Sequence, residues 1–248
     1  MHSMKRKEIT SLQHPLVKHL VKLRTSRKYR YEKNTVFVEG KKFLTELTCP
    51  LKTLIIRSGE DSSLKANETY TVPSHVFEKI SGLKSPEGVA AEIQMPPFAD
   101  LSNKKRVLAL DNINDPGNLG TLMRSALALG FEGIFLTDSS VDPYNEKALR
   151  AAKGATFKLP LQTGDLEAFA SSFHLYIAEL EGTPITSMTF ETPSILLLGN
   201  EAQGISKKMR KIGTSVTIPI KNEMESLNVA VAGAILMHTM LCQSSTIT

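Results

Sequence analysis

Cysteine is scarce in this 248-residue chain: Cys49 and Cys242 lie far apart, and neither has a Cys or His at metal-ligand spacing. That excludes a disulfide framework and a cysteine-based zinc site, and leaves two reduced thiols. Histidine is dispersed singly at positions 2, 14, 19, 75, 174 and 238, so there is no HExxH motif and no metal is expected. Long apolar runs are missing as well. The longest, Asn228 to Leu241, is interrupted by Gly233 and His238 and falls short of the roughly 20 residues that cross a bilayer, so no membrane span is expected. The opening residues are basic but lack the apolar stretch of a secretory signal, which makes a cytoplasmic location the default expectation. Neither GxGxxG nor GxxxxGK[ST] occurs. The nearest approach, GNLG at 117–120, has no acidic partner at the distance a dinucleotide site requires.

What is present begins with charge. Residues 1–42 hold twelve Lys or Arg against Glu8, Glu32 and Glu39, giving this segment +9 and leaving the remainder at −4. Lys18, Lys22, Arg24, Arg27, Lys28 and Arg30 alternate with Leu16, Leu20, Leu23, Tyr29 and Tyr31. Such an element packs on one side and offers cations to phosphates, or merely to solvent, on the other.

The alternation of TVFVEG, KKFLTEL, LKTLIIRS, SHVFEKISGL and GVAAEI predicts a small strand and helix unit, with Ser74 capping the fourth segment. MPPFADLSNKK, residues 95–105, reads as a linker. Beyond it RVLALD, GIFLTD, LYIAEL, SILLLGN and SVTIPI are nearly continuous apolar runs separated by helical segments. Strands apolar on both faces predict a parallel sheet clad in helices, an α/β fold whose ligands collect at the carboxyl ends of the strands.

Three of those ends lead into loops rich in Gly, Asn, Glu and Pro. In the first, Asp115 and Pro116 begin a turn and Asn118 is suited to cap the helix that follows. On that helix Leu119, Leu122, Ala126 and Leu129 share one face, whereas Arg124, about 200° round from Leu122, shares the other with small residues. An arginine on such a face is ordinary taken alone. In the second loop Glu201 lies between Gly199 and Gly204 just after an apolar strand, where a carboxylate needs a partner or a helix N-terminus. In the third, Ser226 reads as an N-cap and Asn228 as an amide inside an apolar helix, where it needs partners.

Taken in order, NDPGNLGTLMRSA, LLLGNEAQGIS and IPIKNEMESLNVAVAGAIL resemble the three motifs of the SpoU, or TrmH-like, family of RNA ribose 2′-O-methyltransferases in the SPOUT class. SLQHPLVKHLVKLRTSRKYR, FVEGKKFLTEL and SPEGVAAEI resemble the L30e-like substrate-binding domain that many members carry. The resemblance implies residues 1–98 as an RNA-binding domain with a basic arm. Residues 99–248 become a catalytic domain whose C-terminal side forms a trefoil knot around S-adenosylmethionine. It implies a homodimer, with the helix after Ser226 in the contact, and large-subunit ribosomal RNA as substrate. Transfer RNA, a non-catalytic RNA-binding role and a resistance methyltransferase are the alternatives.

Carried over by position, Asn118, Arg124, Glu201, Ser226 and Asn228 become the catalytic set. Leu198, Gly199, Ile218, Leu227 and Asn228 become the cofactor-binding set. Ile220 and Asn222 depart from the family pattern, replacing its usual methionine and glycine. Asn is the non-glycine residue that best tolerates positive φ, so the loop is expected to keep its shape.

Overall fold

The computed structural model describes residues 7–200, 204–221 and 223–244. The chain divides into two compact units, one running to Pro96 and including Tyr144–Glu146, the other holding Pro97–Pro143 and the chain from Lys147 on.

The first unit runs β1 (Lys7–Glu8), α1 (Pro15–Thr25), α2 (Arg27–Lys33), β2 (Thr35–Glu39), α3 (Lys41–Glu46), β3 (Leu51–Arg57), β4 (Ala66–Val72), α4 (Ser74–Ser81) and β5 (Val89–Gln94). Its sheet has the order β1-β4-β3-β5-β2. β1 and β3 run parallel to β4, and β5 is antiparallel to β3 and β2. Pro15 starts α1 because its fixed φ suits the first helical position and its missing N–H costs nothing there. The imidazole of His14 accepts from the Leu16 amide and completes the cap. Val17, Leu20 and Leu23 recur on one face of α1 and pack with Val76, Phe77 and Ile80 of α4 over Ile55, Val72 and Ala90 of the sheet.

Three local expectations are corrected here. Pro73, not Ser74, occupies the N-cap of α4. Arg30 does not join the outward basic face: it is 2% exposed, and its guanidinium donates to the Leu23 and Arg24 carbonyls at 2.6 and 2.9 Å. Those are carbonyls at the end of α1, which a helix leaves unpaired and a buried cation satisfies well. Arg24 is likewise engaged, donating to the Ile80 carbonyl at 2.9 Å.

Glu92 is the polar centre of this unit. It is 1% exposed on β5 and receives Lys52 Nζ at 2.8 Å, His19 Nε2 at 3.1 Å and Thr53 Oγ1 at 3.2 Å. Burial pushes its carboxyl up, but the hydrogen bonds from His19 and Lys52 outweigh it and hold the group at about 2.

The second unit runs β6 (Arg106–Leu110), α5 (Pro116–Ala128), β7 (Gly133–Leu136), α6 (Glu146–Ala152), α7 (Ala155–Lys158), β8 (Leu161–Thr163), α8 (Leu166–Ala170), β9 (His174–Pro184), β10 (Ser194–Leu198), α9 (Lys207–Ile212), β11 (Thr214–Thr217) and α10 (Val229–Ser244). Its six strands are all parallel, in the order β11-β9-β10-β6-β7-β8. Every residue of β7 and β10 is buried, which is why their sequences show no polar alternation. β10 and β6 end level, with Leu198 opposite Leu110, so the loops beyond them start side by side. No helix among the described residues is long and apolar enough to cross a membrane.

Candidate active site

The carboxyl ends of β6, β10 and β11 open into the three loops. The first two are stitched together directly: the Asp111 amide donates to the Leu198 carbonyl at 2.9 Å, and Asn200 Nδ2 donates to the Asn112 carbonyl at 3.0 Å. Asn112 holds φ +56°, a left-handed conformation that Asn tolerates better than other side chains.

In the first loop the cap is Asp115, whose carboxylate accepts from the Asn118 amide at 2.7 Å. Asn118 therefore sits inside the first turn of α5 rather than capping it, and its side chain is released for another role. That role is in the third loop: Asn228 Nδ2 donates to Asn118 Oδ1 at 3.1 Å. Asn228 is itself the cap of α10, its Oδ1 accepting from the Ala230 amide at 2.9 Å and more weakly from Val231 at 3.4 Å. The expectation of Ser226 as cap and Asn228 as a buried mid-helix amide is thus reversed. Asn228 is exposed, and one side chain starts α10 while holding α5.

α5 buries Leu119, Leu122, Met123 and Ala126 and exposes Arg124, as its helical period requires; Leu129 is the half-buried C-cap. Arg124 stands about 9 Å along the axis from Asn118. α10 packs against α5 and β10 with Gly233 at the crossing. A Cβ there would lie 2.5 Å from Leu122 Cδ2 and 2.6 Å from Leu198 Cδ1, so any larger residue would force these two buried leucines to shift.

Between the ends of β9, β10 and β11 and the start of α10 lies a cavity of about 440 Å³. Of the residues expected to hold a cofactor, Leu198, Gly199, Ile218 and Leu227 line it, together with Ser226; Asn228 is not part of the wall, although its neighbours Leu227 and Val229 are. Glu201, like Asn222, lies outside the described residues. Aliphatic side chains, Ile205, Val216 and Leu236 among them, make most of the remaining wall.

The sequence reading missed the contribution of β9. Its end supplies Ala178, Leu180 and Glu179, the last held by Arg210 Nε at 2.5 Å and by Ser215 Oγ at 3.0 Å. The apolar run LYIAEL marked that strand, but nothing in it showed that β11 would pair beside it and open a wall there. The cavity lies within the about 300–1,000 Å³ usual for small-molecule sites and is apolar with a few polar groups. An adenine ring fits aliphatic walls of this kind, and a charged amino-acid moiety fits beside the Glu179 and Arg210 side chains. The residues present therefore suit S-adenosylmethionine.

Comparisons with known proteins agree. Residues 105–238 match the model of the SpoU rRNA Methylase family, and residues 14–91 match that of the MRM3-like substrate binding domain. A Bacillus subtilis 23S rRNA (guanosine(2553)-2'-O)-methyltransferase is 31% identical over 94% of this chain and 98% of its own. A Streptomyces viridochromogenes 23S rRNA (uridine(2479)-2'-O)-methyltransferase is 26% identical over 71% of this chain and 67% of its own. Among solved structures, an AdoMet-bound rRNA methyltransferase from Sinorhizobium meliloti superposes with a TM-score of 0.84 at 27% identity, covering 98% of this chain and 99% of that one.

Proposed function

The chain belongs to the SpoU rRNA methylase family, and we propose that it transfers a methyl group from S-adenosylmethionine to a ribose 2′-hydroxyl of large-subunit ribosomal RNA. The observation that carries this is the Asn228–Asn118 hydrogen bond, which ties the helix bearing Arg124 to the segment whose Ser226 and Leu227 line the cavity. The cofactor is held by Leu198, Gly199, Ile218 and Leu227, with Asn228 behind them. When bound it supplies a methyl group activated by a positively charged sulfur.

The protein's own residues prepare the hydroxyl. Arg124 clamps the phosphate next to the target ribose and stabilises the alkoxide charge that develops on its oxygen. It does not take the proton itself, because a guanidinium offers only donors and no acceptor. A phosphate oxygen or water takes that proton. Asn118, fixed by Asp115 and Asn228, orients the clamp; Glu201 steadies the arginine, and Ser226 completes the polar rim.

Residues 1–98 serve as the RNA-binding domain and residues 99–248 as the catalytic domain, with the segments of the second and third motifs threaded as a trefoil knot. The enzyme works as a homodimer in the cytoplasm. Support for the dimer comes from α10, whose outer side presents Val231 at 50% and Ile235 at 39% exposure one turn apart, with His238 and Cys242 further along. Support for the location is the pair of free thiols, Cys49 and Cys242.

The test is methyl transfer from labelled S-adenosylmethionine to separated RNA fractions from cells lacking the gene. Label entering large-subunit ribosomal RNA is the expected result. Label entering only transfer RNA would refute the substrate assignment, and binding of RNA without any transfer would refute the enzymatic one.

A further inference from the structure

The first unit carries a polar cluster that methyl transfer does not use. The ring of Tyr29 on α2 is flanked by Lys22 Nζ and Lys33 Nζ, each 5.5 Å from its centroid. Its hydroxyl lies 2.9 Å from His19 Nδ1, and His19 Nε2 lies 3.1 Å from Glu92 Oε1. Lys52 Nζ reaches the same Glu92 oxygen at 2.8 Å. A carboxylate only accepts, so His19 Nε2 carries its proton toward Glu92; in the neutral ring Nδ1 then accepts from the Tyr29 hydroxyl.

One buried carboxylate thereby fixes an imidazole, a phenol and an ammonium drawn from α1, α2 and β3. As a device for stability alone, a buried charge is a poor substitute for apolar packing. What it achieves is order at the surface. Lys22, Lys33 and Lys52 are exposed: the first two flank the ring of the half-buried Tyr29, and the third is anchored to the same Glu92 that holds His19 beneath it. The Glu32–Lys33 ion pair, 3.0 Å and exposed on both sides, is of the kind that contributes little and exchanges readily for a phosphate.

Resting on the RNA methyltransferase reading, we propose that Tyr29, Lys22, Lys33 and Lys52 form an RNA-docking patch, with His19 and Glu92 as its positioning residues. The ammonium groups take backbone phosphates and the tyrosine packs against a nucleotide between them, a combination of electrostatic and stacking contacts that suits RNA. Arg24 and Arg30 take no part, since both are committed to carbonyls of their own unit.

The experiment measures binding of a protein-free 23S rRNA transcript across a salt series, together with KM and kcat for methyl transfer. The Lys22→Gln, Lys33→Gln double variant removes two cations without touching Glu92. It is expected to lower the slope of log affinity against log salt by about 1.5, raise KM for RNA several-fold and leave kcat and S-adenosylmethionine affinity unchanged. Glu92→Gln, assayed where it is fully folded, is expected to raise KM for RNA alone; a merely structural role would leave that KM where it was.

Unchanged slope and KM in the double variant, with wild type binding normally, would overturn the patch while leaving the methyltransferase reading intact. An effect confined to ribosomal particles, with transcript binding unchanged, would overturn it in favour of a protein contact. A wild type that neither binds RNA nor transfers methyl would remove both proposals.

Discussion

Glu92→Gln should destabilise the first unit by an amount that depends on pH in a defined way. The wild-type carboxyl is held at about 2 instead of its ordinary 4.5, and its side chain is 2% exposed, so solvent screens it little. A depressed acid contributes stability that is fully present above its unfolded value and is lost as pH falls through the folded one. The shift corresponds to about 3 kcal/mol near neutrality, falls to roughly half of that at pH 3 and fades below pH 2. Gln keeps the size and can accept a hydrogen bond, and Lys52, half exposed, returns to water without leaving a buried orphan charge. The variant should therefore lose about 2–3 kcal/mol at pH 7 and converge on wild type in strong acid. Urea unfolding followed by tyrosine fluorescence reads mainly this unit, since the chain has no tryptophan and four of its five tyrosines, Tyr29, Tyr31, Tyr70 and Tyr144, lie in it. A difference that stays constant from pH 7 to pH 3 would show that Glu92 acts through packing and not through charge. No difference at all would refute the network's role in stability.

Arg124→Lys should keep the fold, shifting stability by no more than about 0.5 kcal/mol because the side chain is exposed. It should cut methyl transfer by about 100-fold or more, since one ammonium cannot reproduce a bidentate clamp; near-normal turnover would rule that clamp out. Asn228→Ala removes the α10 cap and should cost about 1 kcal/mol in thermal unfolding while abolishing transfer. Combined with Asn118→Ala in a double-mutant cycle it should show coupling of about 0.5–1.5 kcal/mol, and additive losses would deny the Asn228–Asn118 bond. The proposed α10 dimer predicts that wild type sediments as a dimer and Val231→Glu as a monomer in analytical ultracentrifugation; equal sedimentation coefficients would refute an α10 interface.

What was legible in the sequence was whatever depends on local pattern. Arg106–Leu110, Gly133–Leu136 and Ser194–Leu198 read as buried parallel strands because both of their faces are apolar, and α5 read correctly because its period separates Leu122 from Arg124. β4, ANETYTV, escaped because it is mostly polar and owes its strand conformation to pairing with β3 and β1. β8, three residues long, has too little sequence to carry a pattern.

The same limit governs side chains. That Arg30 turns inward depends on where the end of α1 stops, and that Asn228 caps α10 while bonding Asn118 depends on a helix 110 residues away. Glu92 sat unremarked in the strand GVAAEI, and His19 was one dispersed histidine among six; only folding brings them to 3.1 Å. The motif loops stood out because their glycines, asparagines and acids are unusual after buried strands. Their meeting place came from sheet order, which no single loop encodes.

Methylation of a ribose hydroxyl by this fold depends, in the proposed mechanism, on Arg124. The most direct measurement treats RNA from cells lacking the gene with S-adenosylmethionine and either the intact protein or Arg124→Ala, then digests it to nucleosides for mass spectrometry. A 2′-O-methylated nucleoside formed by the intact protein and absent with Arg124→Ala is the predicted result. A methyl group found on a base, or an equal yield from both proteins, would contradict it.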